Sequence, residues 1–93
     1  MKSGIELIAA ERKRQVEVEG WTAEHDRHHD DGDLALAAAL LIVNDLPCWL
    51  EGYDDTIAWY QDLVIKHEND RQRQLVIAGA LIAAEIDRIQ RLV

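Results

Sequence analysis

The sequence is short of several residue types on which other classes of protein depend. It contains one cysteine, Cys48, so no internal disulfide can form. It contains one proline, Pro47, and no phenylalanine. Only 10 residues are basic against 18 acidic, which gives a net charge of −8. Because phosphate neutralisation needs a basic face, this balance argues against direct binding of nucleic acid.

Long apolar segments are also absent. The longest uncharged run, from Leu34 to Asn44, is too short to span a bilayer. Residues 5–10 are apolar, but they are too few for a signal peptide and charged residues follow at once. We therefore expect a soluble, cytoplasmic protein without a membrane partner.

The chain nevertheless has more apolar content than a small domain readily buries. Its 93 residues allow a single α-helical domain, residues 1–93. A domain of this size has a limited core, yet 48% of the residues are hydrophobic. This excess favours a homo-oligomer, either a dimer or a larger assembly.

Hydrophobic spacing of three and four residues predicts an all-α fold, a small bundle of three to four helices completed by oligomerisation. The first helix is predicted over Gly4–Glu19, where Ser3 and Glu6 match a capping box. Its apolar face is predicted to hold Ile5, Ile8, Ala9 and Val16. The second helix begins near Gly32 or Asp33. Because it is apolar all round, we expect it to be the central buried helix.

The second half of the chain predicts one or two further helices. The third helix is predicted to start at Asp54 or Asp55 and to end at about Lys66, and the fourth to start near Asn69 or Asp70. Whether they are continuous is left open. The last helix has a main apolar stripe of Leu75, Ala78, Gly79, Ile82, Ile86, Ile89 and Val93, and a second stripe of Ile77, Leu81 and Leu92. A helix with two apolar faces lies between two layers, and here the second layer could be another subunit. The small residues Gly79 and Ala83 are expected to permit close helix approach.

A first group of polar residues interrupts the apolar face of the first helix. Arg12 falls in the middle of that face, with Gln15 and Glu19 at its margin. Glu85 lies at the margin of the main stripe of the last helix, so it could pair with Arg12 if the two helices pack together. Two interpretations remain open: a buried ion pair that fixes helix register, and a polar pocket that binds a small anion or nucleotide.

A second group of polar residues is rich in histidine and aspartate. It consists of His25, Asp26, His28, His29, Asp30, Asp31 and Asp33. His25 and His29 are four residues apart, so on a helix they would share a face and could bind a divalent metal together with Asp26. The same side chains could instead cap the second helix. The cofactor is therefore unknown, with a divalent metal as one candidate.

Several motifs resemble a family of short proteins from phages, prophages and other mobile elements. They are E-R-x-R-Q at 11–15, E-G-W-T-x-E-H-D at 19–26, G-D-L-A-x-A-A at 32–38 and L-V-x-A-G-A-L-I-x-A-E-I-D-R at 75–88. The resemblance covers most of the chain apart from about residues 44–65. It implies a genetic context and supplies no mechanism.

The favoured hypothesis is a non-enzymatic accessory protein of a mobile element. It would act as an oligomeric module that binds a protein partner or a small anionic ligand. The residues expected to take part are Glu11, Arg12, Gln15, Glu19, Trp21, His25, Asp26 and Glu85.

Two alternatives belong to other functional classes. The chain has a weaker likeness to the all-α nucleoside triphosphate pyrophosphohydrolases of the MazG type. That likeness implies a metal-dependent hydrolase, whose ligands or base would come from Glu11, Glu19, His25, Asp26, His29 and Glu85. The paired E-x-x-E and E-x-x-D motifs of that family are absent, so no catalytic residue carries over. The third hypothesis is a purely structural helical oligomer.

Overall fold

The computed structural model of the chain describes residues 1–20, 33–43, 54–67 and 69–91. These ranges contain four helices and no strand. The helices are α1 (Gly4–Glu17), α2 (Asp33–Val43), α3 (Asp54–Lys66) and α4 (Arg71–Arg91). The predicted all-α class is therefore confirmed.

The two ends of α1 follow from local sequence. The Ser3 side chain accepts a hydrogen bond from the Glu6 N–H at 3.2 Å, and the Glu6 side chain accepts one from the Ser3 N–H at 3.0 Å. The predicted capping box is thus confirmed. The helix ends at Glu17, two residues earlier than predicted. Gly20 then has a φ of +75°, a left-handed conformation that favours glycine.

A short break separates α3 from α4 and answers the question that the sequence left open. Asn69 has a φ of +66°, which no helix can continue through. The Asp70 side chain accepts a hydrogen bond from the Arg73 N–H at 3.0 Å and caps α4. The sequence offered Asn69 or Asp70 as the start of the last helix, and the cap is Asp70.

The core lies on both sides of α4. Helix α1 packs on one side of α4, α2 packs on another side, and α3 packs on α2. The buried core cluster consists of Leu34, Ala37, Ala38, Leu40, Leu41, Tyr60, Leu63, Ile77, Ala78, Leu81 and Ala84. Helix α2 contributes much of this core, but Ala35, Ala39, Ile42 and Val43 are exposed. The prediction of a fully buried central helix therefore holds for one side of α2, the side on which α3 and α4 of the described helices pack.

The C-terminal end of α2 is closed by a residue distant in sequence. The Arg71 guanidinium donates a hydrogen bond to the Leu41 carbonyl at 2.8 Å and another to the Ile42 carbonyl. These carbonyls have no partner within the helix, so Arg71 satisfies them from the first turn of α4. None of the described helices is long and apolar enough to cross a membrane.

Candidate functional site

The contact between α1 and α4 brings the predicted polar residues together. Near the N-terminal ends of both helices, Leu7 and Ile8 line a cleft together with Gln72. Towards the C-terminal ends, Arg12 Nε lies 3.9 Å from Asp87 Oδ2. Except for Arg73, whose long side chain reaches Glu11, early residues of α1 lie beside early residues of α4 and late residues beside late ones. Helices α1 and α4 therefore run in the same direction.

Gly79 allows this close approach. A Cβ added at Gly79 would lie 2.6 Å from Ile8 Cδ1 and 2.8 Å from Ile8 Cγ1. Carbon atoms do not approach so closely without a shift. The sequence prediction that Gly79 permits close helix approach is therefore confirmed.

Glu11 is the centre of a hydrogen-bond network on one side of this helix pair. Its side chain is fully buried. The Arg14 guanidinium donates two hydrogen bonds to this carboxylate, from Nε to Oε1 at 2.8 Å and from Nη2 to Oε2 at 2.9 Å. Arg73 of α4 donates a further hydrogen bond to Oε1, and Gln15 Nε2 donates to Oε2 at 3.1 Å. Four donors thus satisfy the carboxylate.

The network extends to Glu19 just beyond the end of α1. Arg14 Nη1 donates to Glu19 Oε1 at 2.8 Å, so this arginine bridges two carboxylates. Its hydrogen bonds to Glu11 and Glu19 raise the pKa of Arg14 further above its ordinary value. The hydrogen bond from Arg14 lowers the pKa of Glu19. Both carboxylates are therefore held in their charged forms.

Opposing effects act on Glu11 itself. Burial alone raises the pKa of Glu11, because it disfavours the charged form. The hydrogen bond from Arg14 and the charge of Arg73 outweigh burial, and the net pKa is below the ordinary value.

Near this network, burial and the charges of Arg73 and Lys66 lower the pKa of His67.

Gln15 has an unsatisfied oxygen in this otherwise complete network. Its side chain is fully buried, and its Nε2 is used by Glu11. Its Oε1 has no hydrogen-bond partner among the described residues. Such an atom requires a donor from elsewhere, because a buried polar atom without a partner is costly.

Arg12 and Glu85 have other acidic and basic neighbours than we expected. Arg12 lies near Asp87 and lines a cleft of about 430 Å³. Glu85 accepts a hydrogen bond from Arg88 Nε at 2.5 Å, one turn along the same helix. The two helices do pack together as predicted, but the acidic residue that faces α1 is two positions beyond Glu85.

Other predicted residues lie outside the described part of the chain. They are Trp21, His25, Asp26 and His29, so the predicted metal site stays a prediction. In the ranges that the structure describes, no group of three histidine, cysteine or acidic side chains could hold a metal ion.

Two arginines of the network were not among the predicted site residues. Arg14 could have been found from its spacing, since it follows Glu11 by three residues on a helix. Arg73 lies 62 residues from Glu11, and no spacing in the sequence links the two.

The buried residues of α1 and α4 follow the expected pattern only in part. On α1 the buried residues are Glu11 and Gln15, whereas Ile5 is 82% exposed and Ala9 is exposed. Of the predicted apolar face of α1, Ile8 packs on Gly79 and is half-buried, as is Val16, whereas Ile5 and Ala9 are exposed.

On α4 the second apolar stripe enters the core, and the main stripe remains largely outside. Ile77 and Leu81 are buried. Four residues of the main stripe are 42–51% exposed: Leu75, Ile82, Ile86 and Ile89.

These exposed residues share one surface. Ile82 follows Arg73 by nine residues, about two and a half helical turns, so it lies on the side of α4 opposite the network. We call this surface of α4 the apolar face. Its members are Leu75, Ile82, Ile86 and Ile89.

Comparison with known proteins adds no relative. No protein-family model matches the chain, and no similar curated protein or solved structure is found.

Proposed function

We propose that this chain is a non-enzymatic helical interaction module that works as a homo-oligomer assembled through the apolar face. The observation that carries the proposal is the row of half-exposed aliphatic side chains along α4. Four of them, Leu75, Ile82, Ile86 and Ile89, are 42–51% exposed, and on the neighbouring α1 the buried residues are the polar Glu11 and Gln15.

This arrangement has an energetic consequence for an isolated copy. Full burial of an isoleucine or leucine side chain stabilises by about 1.5–3 kcal/mol, so covering the exposed half contributes about 1 kcal/mol for each. Four such residues lie along α4. A second copy that covers this face therefore stabilises the folded chain, and an isolated copy lacks that stabilisation.

The chemistry of the polar network supports binding rather than hydrolysis. Glu11, Glu19 and Glu85 were candidate ligands for a divalent metal in the hydrolase hypothesis. Each accepts a hydrogen bond from an arginine. A carboxylate neutralised in this way is a poor metal ligand, because the cation would have to displace the guanidinium. The motif resemblance to short phage proteins supports an accessory role in that genetic context.

The test compares two substitutions of the same residue type at the same exposure. Ile82 on the apolar face and Ile42 on α2 are both 42% exposed. We expect Ile82→Asp to give monomers on gel filtration with light scattering, because it buries an unpaired charge in the assembly. Ile42→Asp should keep the mass of the wild-type oligomer.

The two variants also separate assembly from folding. Circular dichroism should report the same helix content for both, since each substituted side chain is half in solvent. A wild-type protein that is monomeric at tens of micromolar would contradict the proposal. So would an Ile82→Asp variant that keeps the wild-type mass.

A further inference from the structure

We draw no further inference here: the strongest candidate, the cleft of about 540 Å³ that Leu7, Ile8, Leu75 and Val76 line near the N-terminal ends of α1 and α4, shares Leu75 with the apolar face already assigned to the homo-oligomer, and nothing in the structure shows what else would cover it.

Discussion

At the scale of single residues, the largest effect is expected at Glu11. Glu11→Gln removes the negative charge to which Arg14 and Arg73 donate. Breaking a buried ion pair costs about 3–5 kcal/mol. We expect the lower end of that range, because the two arginine side chains are 37% and 31% exposed and water can solvate them. Denaturant unfolding measures the loss of unfolding free energy. The control is Glu17→Gln, which changes an exposed residue of the same helix.

The difference in unfolding free energy between wild type and Glu11→Gln should depend on pH in one direction. The pKa of Glu11 in the folded chain is below its ordinary value of 4.5. Its contribution to stability is therefore complete above pH 4.5, and it is lost as the pH falls through the lower folded value. The gap in unfolding free energy between wild type and Glu11→Gln should be constant near neutral pH and narrow below pH 4.5. A gap that stays constant into the acid range would show that charge is not its cause.

Residue-level prediction from sequence succeeded where the interacting groups were close in the chain. The capping pair of Ser3 and Glu6 and the role of Gly79 could both be recognised from local spacing. The bond between Glu11 and Arg73 could not, because it depends on how α1 lies on α4. Arg12 was assigned Glu85 for the same reason. Asp87 lies about 200° around α4 from Glu85, so which of the two faces α1 depends on the packing of the helices.

At the scale of helices, Gly79 fixes how closely α1 approaches α4. Gly79→Ala should gain about 1 kcal/mol from helix propensity but lose about 1–3 kcal/mol from overpacking against Ile8. We expect a net loss of up to about 2 kcal/mol in thermal or denaturant unfolding. Gly4→Ala is the matched control, because a Cβ at Gly4 meets nothing within 4 Å.

A second substitution tests the stated cause. Ile8→Ala removes the atoms that a Cβ at position 79 would meet. In that background, Gly79→Ala should become stabilising, since only the gain in helix propensity remains. If it still destabilises there, contact with Ile8 is not the reason for the glycine.

The first and last residues of the helices were easier to predict than which side of each helix is buried. The sequence placed both ends of α3 within a residue, and the start of α4 within two residues, of their observed positions. It could not decide which apolar stripe of α4 enters the core, because Ile77 and Ile82 are equally hydrophobic. Ile77 and Leu81 are buried because α2 packs on their side of α4.

At the scale of the whole molecule, the chain is thin. It measures 37 × 36 × 19 Å along its principal axes, so its shortest dimension is about two helix diameters.

We expect the melting temperature to rise with protein concentration, because association that occurs only in the folded state stabilises it by mass action. Ile82→Asp should abolish that dependence. A wild-type melting temperature that does not change over a hundredfold dilution would contradict the assembly.

The bond from Arg71 to the end of α2 bears on the order of folding. The last carbonyls of α2 obtain their partner from a residue about thirty positions later in the chain. That turn cannot be completed until the chain has passed through α3 and begun α4. Closing a loop of this length costs chain entropy that forming a helix from neighbouring residues does not. The C-terminal turn of α2 should therefore be among the last parts of the protein to become ordered, although the helix to which it belongs forms from neighbouring residues.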